Sequence, residues 1–395
     1  MSPFSHLLIL LATPTFAMLL PRRTAFITSS GILSSAFTIS DNNNNQRLTK
    51  STTSSGIKSS SSVSTDTQST IIYQPLSINV DGVQVPIATW RSPTSSDGTI
   101  KGSSNNNNIS YEHRISVSKI GKLLAGWKLP AFVDRNFSLQ PTMKNVQEVS
   151  GSFASDNISA PVIFLAHGYL GSRYDLSHLG EALASKGFFV ISPEYPESLA
   201  ASYDATESTS GIPIDRTIIT NEVIKKLTTE WNIQPKSYGI IGHSLGCGTV
   251  DRTGDSSWTR VCIAGGAPSL RGSNCLFIGS VNDGAVSISN AVVALQQNRF
   301  IPLDEKTVKS GKWGKLPARA SLLFGDRSSA PNHISFLAEG PNDAMVQFLS
   351  PLLPVARFVG IPVLDFDKYQ TSRDSKATGE VYIPLVVEYM KQMMI

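Results

Sequence analysis

From residue 161 onward the apolar residues come in short unbroken runs, separated by stretches in which they recur every three or four positions. Pro161 to Ala166 (PVIFLA), Phe188 to Ile191, Tyr238 to Ile241, Arg260 to Ala264, Cys275 to Gly279 and Ala320 to Phe324 are runs of strand length without alternation. That is the pattern of strands buried on both faces. Between them, Leu176, Leu179 and Leu183 share one helical face before Gly187 stops the helix, and Ile218, Ile219, Val223, Ile224 and Leu227 lie behind a capping Asp215. A last helix is predicted from about Val381 to Met394. Strands and helices in alternation give an α/β fold, with a mostly parallel central sheet and helices on both faces. Ahead of this part, Ile71 to Trp90 reads as two strands around an Asp81-Gly82 turn, an N-terminal antiparallel hairpin at one edge of the sheet. Residues 111–160 carry a weaker pattern, helical from Val117 to Trp127 and then broken by Pro and Asn, and read as connection.

The first seventy residues follow different rules. An apolar run from Leu7 to Leu11 is interrupted at Pro14 and followed by Phe16 to Leu20, too short for a membrane span of about 20 residues. No acidic residue precedes Asp41, Arg22 and Arg23 supply the positive charge, and Ser and Thr crowd residues 24–40. These stacked signals resemble the bipartite presequence of algae with secondary plastids, a signal peptide followed by a Phe-led transit region. The resemblance implies import into a plastid (chloroplast); a plain secretory signal is the alternative. Residues 1–40 are therefore read as presequence, 41–70 as a disordered Asn/Ser-rich linker with nothing to bury, and 71–395 as the folded domain. The sequons at Asn108, Asn136 and Asn157 matter only for a domain that matures in the secretory pathway.

Composition narrows the function. Hydrophobic residues make up 41% of the 395 and charged ones 16%, ample for a large buried core. With 34 basic against 30 acidic residues there is no basic stripe for a phosphate backbone, so nucleic acid is excluded as a partner. Cys247, Cys262 and Cys275 are odd in number and sit in apolar surroundings, and are read as reduced core residues. No protein partner is indicated.

One constellation carries chemistry. The Tyr238 to Ile241 run ends in Gly242-His243-Ser244-Leu245-Gly246, a G-x-S-x-G sequence on a strand-to-helix turn. A serine nucleophile on so sharp a turn needs glycine two residues to either side, where a side chain would collide with backbone. Upstream, the Pro161 to Ala166 run ends in His167-Gly168-Tyr169, where an oxyanion loop would lie. Of six histidines, His6 is in the presequence, His113 and His178 are away from strand ends, His167 is in the upstream loop and His243 is inside the elbow. His333, in the loop after the Ala320 to Phe324 run, is left as the base. Asp283 and Asp326 compete for the acid. Asp283 follows Cys275 to Gly279 through Ser280-Val281-Asn282 and lies between Ser244 and His333 in chain order, which favours it. The backbone N–H groups of Leu245 and Tyr169 would receive an oxyanion.

These residues resemble the α/β-hydrolase superfamily over about residues 160–395, with the hairpin as its usual edge. Phe164-Leu-Ala-His167-Gly168, Leu183-Ala-Ser-Lys-Gly187-Phe-Phe-Val190 and Ser192-Pro-Glu-Tyr195 are similar to chlorophyllases, platelet-activating-factor acetylhydrolases and dienelactone hydrolases. The resemblance implies hydrolysis of an apolar carboxylic ester through an acyl-serine, without metal or cofactor, with chlorophyll dephytylation among the expected reactions. A lipid or pigment substrate would also require contact with a membrane surface. One departure stands out: the position after the strand following the elbow, the triad acid of chlorophyllases and platelet-activating-factor acetylhydrolases, reads Ile263-Ala-Gly-Gly-Ala-Pro268, with no carboxylate. A plastid lipase or acyltransferase, a small-ester or lactone hydrolase, and a non-catalytic binding protein on the same fold are the alternatives. The apolar, proline-broken run from Phe348 to Ile361 reads as core or as a lid over a hydrophobic pocket.

Overall fold

The unbroken apolar runs pair with one another, as strands with two buried faces must. The protein is described by a computed structural model over residues 70–94, 109–116, 118, 119, 122, 134–150, 153, 157–203, 208–210, 214–349 and 373–395, all within the unit Gln68–Ile395. Its strands are Ile71–Val80 (β1), Val83–Arg91 (β2), Tyr111–Ile115 (β3), Arg135–Leu139 (β4), Val146–Glu148 (β5), Ile158–Ala166 (β6), Phe189–Pro193 (β7), Ile233–His243 (β8), Thr259–Ile263 (β9), Cys275–Ser280 (β10), Ile301–Leu303 (β11) and Arg319–Phe324 (β12). Ten of them form one sheet in the order β11-β12-β10-β9-β8-β6-β7-β2-β1-β5. The β1/β2 and β2/β7 pairs are antiparallel and the other pairs parallel.

Helices cover both faces: Ser177–Ala184 (α1), Arg216–Thr229 (α2), Gly246–Arg252 (α3), Ile288–Gln297 (α4), Glu305–Ser310 (α5), Glu339–Leu349 (α6) and Ser375–Met394 (α7). Alternate residues of one strand enter different cores. Ile163 and Leu165 of β6 pack with Leu179 and Leu183 of α1 and with Tyr382, Leu385 and Tyr389 of α7. Val162, Phe164 and Ala166 pack with Ile219, Val223 and Leu227 of α2 and Val250 of α3. Burying each such side chain contributes roughly 1.5–3 kcal/mol, so neither face tolerates the polar alternation of a half-exposed strand. Asp215 caps α2 as its sequence position suggests, its side chain accepting from Thr217 N at 2.7 Å.

The structure differs from the sequence reading in three places. β8 begins at Ile233 and α7 at Ser375, earlier than the apolar runs themselves, because polar first turns and strand ends carry no hydrophobic signal. The hairpin is next to the edge, not at it: three-residue β5 pairs with β1 outside it. Residues 111–160 hold a separate two-stranded sheet, β3 with β4. The presequence, the linker through residue 69, most of the Val117 to Trp127 pattern and all but the first residues of the Phe348 to Ile361 run lie outside the described residues.

β3 is tied to the main sheet by a buried carboxyl. Glu181 of α1 accepts from Tyr111 Oη at 2.6 Å and from Met143 N at 2.7 Å, while Trp90 Nε1 donates to Tyr111 Oη at 3.0 Å. Burial raises the Glu181 pKa from its ordinary 4.5 to about 7. The folded chain therefore holds this proton over a range in which the unfolded chain has lost it, and stability falls as pH rises through that window. Denaturant unfolding from pH 4 to 8 should show the stability advantage of the unmutated protein over Glu181→Gln shrinking by about 3 kcal/mol, most of it between pH 4.5 and 7. A pH-independent difference would refute the assignment.

Candidate active site

Ser244 stands between the end of β8 and the start of α3 with φ at 55°, in the left-handed region that L-residues avoid. Its N–H donates to Ile263 O of the neighbouring β9 at 2.9 Å, and its carbonyl accepts from Cys247 N at 3.0 Å, which holds the strained turn in place. The glycines of the motif are forced. A Cβ on Gly242 would come within 2.4 Å of the Gly246 carbonyl carbon, and one on Gly246 within 2.0 Å of Ala166 O, where β6 ends. Leu245 follows in helical conformation at the head of α3, and its side chain, like that of Tyr169, is about two-fifths exposed.

His333 and Asp283 meet. His333 Nδ1 lies 2.9 and 3.0 Å from the two Asp283 carboxylate oxygens, and His333 N donates to Asp283 O at 2.8 Å. The carboxylate is buried and also accepts from Ala285 N at 3.0 Å and Val286 N at 2.7 Å, which fixes its plane. With Nδ1 facing the carboxylate, Nε2 is the imidazole nitrogen left to exchange a proton. Asp326 is placed elsewhere: it is exposed, its oxygens accept from Ser328 N, Ser328 Oγ and Ser329 Oγ, and these donors lower its pKa. Of the two rival acids, Asp283 is the one at the imidazole.

The segment carrying His333 is built to stay still. It begins a 3-10 helix, His333–Phe336, behind Asn332, whose side chain accepts from Ile334 N and Ser335 N while Ser335 Oγ accepts from Asn332 N. Tyr382 Oη of α7 donates to Phe336 O at 2.7 Å. His243, inside the elbow, donates from Nε2 to His333 O at 2.9 Å. Burial lowers the His243 pKa to about 3, so its ring is neutral. These supporting roles of Asn332, Tyr382 and His243 escape sequence reading, because a bond to a distant backbone carbonyl leaves no local pattern; only the Asn-x-x-Ser capping signature at 332–335 is readable.

Ser244, Asp283 and His333 thus lie beyond the carboxyl ends of β8, β10 and β12, along one edge of the sheet. Among the described residues, no hydrogen bond joins Ser244 Oγ to His333. No group of three or more His, Cys, Asp or Glu among the described residues could hold a metal ion. The cysteines are free and buried, with Cys247 Sγ donating to Gly242 O and Ile263 O under the elbow. No helix among the described residues is long and apolar enough to cross a membrane.

The eight central strands, in the order β1-β2-β7-β6-β8-β9-β10-β12 with an antiparallel start and a strand-to-helix elbow after β8, define the α/β-hydrolase fold. No family profile matches the sequence, and a search of curated proteins finds no match. Solved structures similar to the chain include an esterase from Pyrococcus furiosus (12% identity, TM-score 0.39, covering 82% of this chain and 91% of that one). Others are a ferulic acid esterase from Streptomyces cinnamoneus (15%, 0.42, 83% and 91%) and a dienelactone hydrolase from Anabaena variabilis (14%, 0.36, 70% and 94%).

Removing a carboxylate that serves two backbone amides and an imidazole leaves one buried and two partly buried donors unpaired. Asp283→Ala should cost about 2–3 kcal/mol in denaturant unfolding, and Asp326→Ala less than about 1 kcal/mol. Equal losses would mean that the Asp283 bonds do not form.

Proposed function

We propose that the protein is a serine hydrolase that cleaves an apolar carboxylic ester through an acyl-serine intermediate, with Ser244 as nucleophile, His333 as general base and Asp283 as its orienting acid. The observation that carries this reading is the bidentate approach of the buried Asp283 carboxylate to His333 Nδ1, at the sheet edge where the Ser244 elbow ends β8. His333 Nε2 takes the Ser244 hydroxyl proton as Oγ attacks the ester carbonyl carbon, and Asp283 stabilises the imidazolium that results. The carbonyl π electrons move onto oxygen, where the amides of Leu245 and Tyr169 receive the charge. Collapse breaks the bond to the alcohol, which leaves with the proton from His333. Water then repeats the sequence on the acyl-enzyme and frees the acid.

The exposed Tyr169 and Leu245 side chains beside the nucleophile support an apolar substrate and contact with a membrane surface that holds it. Together with the presequence, they favour a plastid ester, with the phytyl ester of chlorophyll as the first substrate to test. The full-length protein should cleave p-nitrophenyl butyrate and be labelled at Ser244 by a fluorophosphonate. Ser244→Ala should lose about 10⁴-fold or more in kcat and Asp283→Asn about 10³- to 10⁴-fold. Chlorophyllide release from chlorophyll a supports dephytylation; butyrate cleavage without it moves the search to lipids, lactones and acyl transfer. A folded protein that neither labels nor cleaves refutes the hydrolase reading.

A further inference from the structure

The loop after β6 is held by an unusual concentration of donors on one carbonyl. Gly168 O receives His167 Nδ1 at 2.8 Å, Gly171 N at 3.3 Å and Arg216 Nη2 at 3.4 Å. The chain dictates the imidazole tautomer: His167 Nε2 accepts from the Tyr195 amide at 3.0 Å, so the ring proton of the neutral form is on Nδ1, where it can only be given to Gly168. Burial, reinforced by the Arg216 guanidinium, lowers the His167 pKa and keeps the ring neutral.

Arg216 itself is 3% exposed, an expensive place for a guanidinium. Its Nε donates to Glu197 Oε2 at 3.0 Å, its plane lies over the Tyr195 ring, and Nη1 donates to His167 O at 2.8 Å and Thr249 Oγ1 at 3.5 Å. Two successive carbonyls, those of His167 and Gly168, are therefore drawn toward one buried cation. The rest of the loop is equally fixed: Leu170, with φ at 60°, donates its N–H to Glu197 O at 3.2 Å, and Leu199 N donates to Gly171 O at 3.1 Å.

A trans peptide points its C=O and the following N–H in opposite directions, and none of the described peptides is cis. A Gly168 carbonyl drawn to Arg216 turns the Tyr169 amide the other way. Gly168 also touches the elbow, since a Cβ there would be 3.0 Å from Ser244 Cβ and 3.1 Å from His243 Nδ1. We infer that Arg216 and His167 are positioning residues for the oxyanion hole: they hold the Gly168 carbonyl inward and so present the Tyr169 amide beside Ser244 before substrate arrives. Neither touches the reacting atoms. The inference rests on the serine-hydrolase reading above, and adds to it the residues that preorganise its electrostatics.

The test uses full-length protein, with active sites titrated by fluorophosphonate. Turnover of p-nitrophenyl butyrate per labelled serine is measured beside inhibition by an alkyl trifluoromethyl ketone, which the serine converts into a tetrahedral oxyanion. Arg216→Met should lower kcat per labelled serine about 10- to 100-fold, leave KM within about threefold, and weaken the ketone in step with kcat/KM. Arg216→Lys, which can reach one carbonyl but not both, should recover part of each loss. A purely structural role would reduce the labelled fraction and the melting temperature while leaving turnover per labelled serine unchanged, and that result in a folded Arg216→Met protein overturns the inference. If Arg216→Met does not fold, Arg216→Lys decides, unchanged turnover and ketone affinity again overturning it. An unmutated protein that does not label at Ser244 removes the hydrolase reading and this inference together, whereas a labelled one with indifferent Arg216 variants removes only the inference.

Discussion

Everything at the candidate site depends on the parallel pairing of β6 with β8, in which Ala166 stands opposite Gly242. The two strands end at the same level, so the loop that leaves β6 and the turn that leaves β8 are pressed against each other. Gly246 can approach Ala166 O only because it has no side chain, and Gly168 can rest on Ser244 for the same reason. A shift of one residue in that register would exchange the two faces of β8 and take the elbow away from its loop. The ladder therefore does two tasks: it buries Ile240 and Ile241 on opposite faces, and it brings Ser244 and the loop after β6 together.

Much of this is legible in the sequence, for reasons that differ from residue to residue. The central strands announce themselves because both faces are buried, and the G-x-S-x-G spacing because sterics permit little else there. His333 is reached by elimination, and Asp283 by chain order; in the fold the two are hydrogen-bonded to each other. What is not legible is what depends on partners distant in sequence. β5 is three residues long, β3 carries a buried tyrosine whose partner is on α1, and Arg216 looks like any charged residue in the first turn of an amphipathic helix. Nothing local marks it as one of the most buried cations in the fold.

The site is surrounded by groups whose charge state is settled by burial. His167 and His243 are kept neutral, and each uses its ring proton on a backbone carbonyl: Gly168 O for the first, His333 O for the second. Two imidazoles that could compete with His333 for protons are thus converted into fixed dipoles. Arg216, paired with Glu197, lies behind the loop after β6, and Asp283 lies behind His333, on different strands' connections. Preorganisation of this kind costs folding energy and returns it as electrostatics that need not rearrange during a reaction.

The turn that carries His333 has one more property. Ser335 Oγ donates to Arg373 O at 2.7 Å, and Pro331 forms a parallel bridge with Arg373. The chain that leaves this turn after Ser335 therefore returns to within bonding distance of it before it enters α7. The two ends of the intervening sequence are fastened to each other at Ser335 and Arg373. The entropy of closing a loop grows only with the logarithm of its length, so a change in the number of residues between two fastened ends bears little on His333. Changes of length between the two fastened ends are thereby separated from the His333 imidazole, which stays in register with its carboxylate.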